Sequence, residues 1–335
     1  MAVELTATTE ADIDKLIALF SKAFQLKGNE PLRNPALLRW KYFDPRPDWQ
    51  GSRSYVLHSG QRWLAHACVC PMTIRHGGNT VNGVLLVDWL STVPGAGAEI
   101  YRRFYPMVDV VFGNGGSTQA RRTINELKYP TIGSVAMHSR PFKPLALYGG
   151  SKRSAADLLR LGRNFALSMA PGHTLSPGWR STQVSQFTEE HRAICDHSPE
   201  GFLQTVRSPE HLNYYLRCPL AKMSGHAVYQ GSALQGYFIL AEFQTESKLV
   251  DLRINSVNPE HWAAGIALAT RAASQLAAPM LLVSSTLPLM TQGLQANRFR
   301  HFEDDPLYLY DPADRLNASK LPLHITPFDG DQAYQ

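Results

Sequence analysis

Asp88 is the side chain that the sequence best equips to move a proton. It stands alone among apolar neighbours in Val84-Leu85-Leu86-Val87-Asp88-Trp89, a run that reads as a strand, where desolvation would lift a carboxyl toward a useful pKa. Leu90, Ser91 and Val93 then lead into Pro94-Gly95-Ala96-Gly97-Ala98, a small-residue turn opening a helix. A strand, a tight turn and a helix N-terminus make an anion site, because the exposed backbone N–H groups and the helix dipole both favour negative charge. Asn114 and Ser117, in Gly113-Asn114-Gly115-Gly116-Ser117, sit where an acceptor or a water could be held. Each residue also has a plainer reading. Asp251 occupies a matching Leu-Val-Asp context, so Asp88 could be structural. Asn114 and Ser117 could cap a loop and a helix, and the glycine turn could be a tight connection that binds nothing.

The elements that must position these residues follow from periodicity. A short strand at 3–8 precedes a helix with apolar residues at Ile13, Leu16, Ile17, Leu19, Phe20 and Phe24. A second short helix opens at Asn34-Pro35 and closes at Asp44-Pro45. Strands are expected at 54–58, 63–69, 73–75 and 84–90, with a turn at His76-Gly77-Gly78-Asn79. A helix from Ala98, a strand at 108–112, a helix at 118–127 and a strand at 132–137 complete the unit. Residues 140–185 are rich in Pro, Gly, Ser and basic residues and read as a linker with one helical piece at 155–161.

The remainder retraces the first half. Asn34-Pro35-Ala36-Leu37-Leu38-Arg39-Trp40 has its counterpart in Ser208-Pro209-Glu210-His211-Leu212-Asn213-Tyr214, and Leu86-Val87-Asp88 in Leu249-Val250-Asp251. The sequence therefore implies a tandem duplication: a first domain at 1–140, a linker at 141–184 and a second domain at 185–320. At 335 residues the chain is long enough for two ordinary domains.

Composition narrows the classes. With 44 % hydrophobic and 18 % charged residues the chain is folded rather than disordered. A net charge of +5 suits anionic small ligands, but no Lys/Arg run marks a nucleic-acid tail. The start, MAVELTATTEADIDK, lacks an apolar core and is no signal peptide. No apolar run reaches spanning length, so a cytoplasmic protein with no membrane partner is expected. The four cysteines do not form a scaffold and read as buried thiols. The twelve histidines show no metal-ligand spacing, so no metal is expected. No Gly-x-Ser-x-Gly elbow or Walker loop is present.

The order of elements resembles the GCN5-related N-acetyltransferase (GNAT) fold, in a branch of bacterial acyltransferase-like proteins with two such domains, often tied to cell-surface polysaccharide pathways. The residues carrying the likeness are Leu38-Arg39-Trp40-Lys41-Tyr42, Val87-Asp88 through Gly95-Ala96-Gly97-Ala98, and Gly115-Gly116-Ser117 through Leu127-Lys128-Tyr129. The resemblance implies an α/β fold of two GNAT-like domains, each a mixed central sheet flanked by helices. It implies acyl transfer from acetyl-CoA or another acyl-CoA to an amine on a small acceptor, with no metal. Leu90, Ser91 and Val93 would contact the pantetheine, and Gly95, Ala96, Gly97 and Ala98 the pyrophosphate. The chain departs from the family in three places. Thr92-Val93-Pro94 lacks the usual Arg or Gln head of the turn. Ile124 and Leu294 stand where a tyrosine acid is common. Asn258-Pro259-Glu260 replaces the glycines in the second half. Two alternatives stay open: an enzyme using an acyl carrier protein as donor, which makes N-acyl amino acids, and a binding or scaffold protein that has kept only the fold.

Overall fold

The computed structural model describes residues 3–76, 79–148, 154–196, 201–317 and 320–334. The first half runs β1 (Glu4–Ala7), α1 (Ile13–Ala23), α2 (Pro35–Tyr42), β2 (Ser54–Ser59), β3 (Arg62–His76), β4 (Asn79–Ser91), α3 (Ala96–Phe104), β5 (Val110–Asn114), α4 (Thr118–Glu126) and β6 (Thr131–Pro141). After α5 (Ala155–Met169), the second half runs β7 (Trp179–Val184), α6 (Arg192–Asp196), β8 (Leu203–Gln204), α7 (Pro209–Leu216), β9 (Lys222–Gln230), β10 (Ala233–Glu242), β11 (Ser247–Ile254), α8 (Pro259–Ser274), β12 (Met280–Ser285), α9 (Pro288–Ala296) and β13 (Arg300–Tyr310). A short β14 (Leu323–His324) pairs with β8.

Twelve of the described strands form one mixed sheet in the order β1-β2-β3-β4-β5-β13-β6-β12-β11-β10-β9-β7. The order shows a reciprocal exchange. The fifth strand of the first half, β5, pairs with β13, the last strand of the second half. Its counterpart β12 pairs with β6, the last strand of the first half, and β6 and β13 pair with each other at the centre. The duplication read from sequence thus folds as two halves sharing their last strands.

The sheet has two covered faces. On one, α1 and α2 in the first half and α6 and α7 in the second bury apolar side chains together with the chain end at 325–334. On the other lie α3 and α4, and α8 and α9. The two halves meet at residues the repeat had aligned. Trp40 of α2 stacks on Tyr214 of α7, ring centroids 4.7 Å apart. The indole N–H of Trp40 donates to the Tyr214 carbonyl at 3.3 Å, and the Tyr214 hydroxyl donates to the Trp40 carbonyl at 2.5 Å. Both helices start alike: Asn34 or Ser208 caps the N-terminus and Pro35 or Pro209 takes the first turn.

Several expectations change. The runs at 63–69 and 73–75 are one strand, β3, which passes through Pro71. The pairing of β2 with β3 ends at Cys68, so the missing N–H of Pro71 does not interrupt that ladder. Helix α3 begins at Ala96, not Ala98, because Gly95 adopts the left-handed conformation (φ 81°) that lets the chain turn at once. The expected linker contributes the fifteen-residue α5 and the edge strand β7. The turn glycines Gly77 and Gly78 lie outside the described residues.

Candidate active site

Asp88 lies on a bulge. Opposite β3, where His66 pairs with Leu90 and Cys68 with Val87, Ala67 faces both Asp88 and Trp89. The extra residue puts Asp88 at φ 48°, a strained value for a residue that is not glycine. Two consecutive residues of α2 hold it. Lys41 Nζ lies 2.5 Å from Asp88 Oδ2, both side chains being 2 % exposed, and the Tyr42 hydroxyl donates to the same oxygen at 2.7 Å. Burial acts to raise the Asp88 carboxyl, as the sequence implied. Lys41 and the hydrogen bonds from Lys41 and Tyr42 outweigh it, and the net shift is downward. The expectation of a raised pKa at Asp88 is thereby corrected. His66 stays neutral below it, pushed down to about 4 by burial. It bonds the Asp88 carbonyl through Nδ1 at 2.9 Å and Ser54 Oγ through Nε2 at 2.9 Å.

The turn beyond Leu90 and Ser91 is built without side-chain caps. Gly95 is the N-cap of α3 and no side chain bonds there; the Ala96 N–H donates to the Val93 carbonyl at 3.4 Å, and the next N–H groups of the helix, those of Gly97 and Ala98, have no intrahelical acceptor. Ala96 and Gly97 are buried. A Cβ on Gly97 would come within 3.1 Å of the Trp89 ring, whose indole N–H donates to the Gly97 carbonyl at 3.2 Å. Glu99 in the first turn is neutralised by Arg103 at 2.8 Å. The matching helix of the second half is closed. Asn258 caps α8 with its own side chain, accepting from the Glu260 N–H at 3.0 Å, and Pro259 fills the first turn.

Between the turn and the bulge the sheet opens. Strand β4 pairs in parallel with β5 only at Gly83–Leu85 and Val110–Phe112, then the two diverge. The approach needs Gly83, since a Cβ there would lie 2.6 Å from Val110 Cγ2. The opening holds a cavity of about 50 Å³ lined by Leu85, Leu86, Val87, Asn114, Val135 and the chain end at 325–327 and 330–332. Asn114 Oδ1 is buried with no hydrogen-bond partner among the described residues. Asp331 also lines this cavity, 3.5 Å from Lys41 Nζ, with its side chain 17 % exposed. Burial pushes its carboxyl up. The second half opens in the same way, β11 pairing with β12 only at Ser247–Leu249 and Leu281–Val283. Its cavity, about 150 Å³, is walled by Lys248, Leu282, Ser284, Phe302, Pro327 and Gln332 among others.

Of the residues singled out from sequence, Asp88 touches Lys41, which reaches Asp331, which shares a cavity with Asn114. Ser117 stands apart, its hydroxyl accepting from the Ala120 N–H at 3.2 Å as the cap of α4. Ile124 and Leu294 are buried core residues. Lys41 and Asp331 had not been singled out: one lies in an amphipathic helix, the other in a segment with no periodic pattern. No group of three or more His, Cys, Asp or Glu among the described residues could hold a metal ion. No helix among them is long and apolar enough to cross a membrane.

No protein-family model and no curated protein matches the chain. Solved structures do. A GCN5-related N-acetyltransferase from Anabaena variabilis superposes with a TM-score of 0.58 at 11 % identity, over 92 % of this chain and 73 % of that one. Saccharomyces cerevisiae N-myristoyltransferase, solved with bound myristoyl-CoA, superposes with a TM-score of 0.61 at 12 % identity, over 92 % of this chain and 82 % of its own. Bulges in β4 and in β11, where Ile239 pairs with Asp251 and Leu240 with Leu249, parted parallel pairs and two repeated halves carried on one sheet, together with these superpositions, give this chain the tandem GCN5-related N-acetyltransferase fold.

Proposed function

We propose that the protein is an acyltransferase that moves an acetyl or other short acyl group from an acyl-CoA to an amine on a small acceptor, such as a sugar or an amino-acid derivative. The observation that carries this reading is the asymmetry of the two helix N-termini: α3 opens on a glycine with no side-chain cap beside a parted strand pair, whereas α8 is capped by Asn258. Gly95, Ala96, Gly97 and Ala98 would hold the pyrophosphate through backbone N–H groups, and Leu90, Ser91 and Val93 the pantetheine along the free edge of β4. The coenzyme supplies an acyl group activated as a thioester. Asn114, with its unpaired buried oxygen, would accept a hydrogen bond from the incoming amine. As the amine nitrogen bonds the acyl carbon and the C–S bond breaks to release coenzyme A as its thiolate, Asp331 would take the amine proton, with Asp88 and Lys41 as its support. Residues 1–140 would be the coenzyme half, 141–184 the connection and 185–320 the acceptor-shaping half. The cavity of about 150 Å³ suits an apolar part of the acceptor.

One observation favours a second donor. Thr92-Val93-Pro94 brings no basic or amide side chain to the turn, a loss that an acyl carrier protein, which presents its own pantetheine, would tolerate. Calorimetric titration with acetyl-CoA, CoA and phosphopantetheine separates the readings. The coenzyme reading expects one site per chain for CoA, lost in Gly95→Asp, an exposed position whose positive φ aspartate tolerates. Ligand at one hundred times its dissociation constant would stabilise the fold by about 2.7 kcal/mol. Phosphopantetheine binding without CoA binding moves the assignment to a carrier protein. Silence with all three ligands overturns the enzyme and leaves a binding protein.

A further inference from the structure

Helix α5 is inside out. None of its side chains is buried, and the side that meets the protein is the half-buried stripe Asp157, Leu161, Asn164, Leu167 and Ser168, at helical spacing. Three of those five are polar, and the larger share of the helix's apolar surface lies on the other side. The opposite side presents Leu158, Leu159, Phe165 and Met169, which are 59, 76, 40 and 81 % exposed, with small Gly162 and Ala166 between them. A surface helix ordinarily shows the reverse arrangement, and a contiguous apolar patch of this kind marks a place where something docks.

The surroundings are basic. Arg160 and Arg163 flank the apolar side, with side-chain neutralisation limited to Arg160, 3.4 Å from the capping Asp157. Burial and the neighbouring Arg163 both push the Arg300 guanidinium down from its ordinary value. Arg298 bonds the Pro171 carbonyl just past the helix end at 3.4 Å. The basic side chains beside the apolar row supply the charge that anionic headgroups would complement. A bilayer needs only an apolar side chain row to receive and anionic headgroups to pair with arginines.

We propose that α5 seats the protein on an anionic lipid surface, its Leu158, Leu159, Phe165 and Met169 side chains entering the headgroup–acyl boundary and Arg160 and Arg163 pairing with lipid phosphates. This surface stands independently of the acyl-transfer reading. The test is co-sedimentation of the full chain with phosphatidylglycerol-rich vesicles and with pure phosphatidylcholine vesicles, for wild type and Leu159→Ser/Met169→Ser. Both positions are exposed, so folding is not at stake. Wild type is expected to pellet with the anionic vesicles, to be released by high salt as surface charge pairs are screened, and to lose roughly tenfold in partitioning in the double variant. The proposal is overturned if wild type stays in solution with both vesicles, or if the variant pellets equally well. It is equally overturned if the patch proves to be covered by a second copy, seen as a dimer that the variant disperses.

Discussion

Two aspartates near one lysine divide their labour by environment. Asp88, bonded by Lys41 and Tyr42, is held as an anion below its ordinary range. Asp331, reached by the same lysine only at 3.5 Å, is pushed up by burial and is the better base. Its folded pKa lies above its unfolded one, so its contribution to stability is complete below the unfolded value and is lost as pH rises through the folded value. At neutral pH an ionised Asp331 therefore costs stability. Asp331→Asn should leave thermal stability at pH 7 unchanged or higher, while kcat/KM for acyl transfer falls about 10²–10⁴-fold and the acid limb of the pH–rate profile vanishes. An active variant with an unshifted profile would remove Asp331 from the chemistry. Asp88 was legible in the sequence because a lone carboxylate in an apolar strand is conspicuous. Its partner was not, because Lys41 reads as the solvated side of a helix until the fold buries it to 3 % exposure.

At the scale of elements, the two helix N-termini show how one architecture separates binding from structure. Asn258 caps α8 and Pro259 removes one of its orphan N–H groups, and Gly95 brings no side-chain cap to α3. Asn258→Ala should cost about 1 kcal/mol of stability, the usual worth of such a cap, and leave CoA affinity untouched. A change in CoA affinity would mean that the second half takes part in coenzyme binding. Strands and helices with clear periodicity, such as α1 and β4, could be read in advance. β13 was missed because its first residues, Arg300-His301-Phe302-Glu303-Asp304-Asp305, have the composition of a surface loop, and only Leu307 to Tyr310 alternate. β7 was missed, and α5 was read only as a short piece at 155–161, because they lie in a stretch whose prolines and glycines suggested a connection. For α5 the missing signal was orientation: periodicity marks an apolar side but not which way it faces.

Across the whole molecule, the exchanged strands and the chain end tie the halves into one cooperative unit. β5 and β12 each lose one of their two neighbours if the last strands are withdrawn, β5 losing β13 and β12 losing β6. The end at 325–334 is held from the second half through Thr326 to Asp251 at 2.9 Å and Asp329 to Arg207 at 2.7 Å, and from the first through Lys41. Histidines buried as neutral rings are spread over the same unit. Burial pushes His66 down to about 4, His211 to about 3 and His324 to about 4. His211 accepts from the Arg46 guanidinium at 2.8 Å, a bond that a protonated ring could not accept. In each case the folded pKa lies below the unfolded value near ~6.5, so the unfolded chain binds more protons between the two. The stability these rings contribute is present above about pH 6.5 and falls with pH by about 1.4 kcal/mol per unit per ring. Three rings lose on the order of 6 kcal/mol by about pH 5, comparable with the whole stability of a folded chain at ~5–15 kcal/mol. Acid titration followed by far-UV and tryptophan signals should give one coincident transition, near pH 5 and well above the carboxylate range, and His66→Gln should move it to lower pH. Two separated transitions would show that the halves unfold independently despite the shared sheet, and a midpoint below about pH 4 would mean that carboxylates, not histidines, set the acid limit.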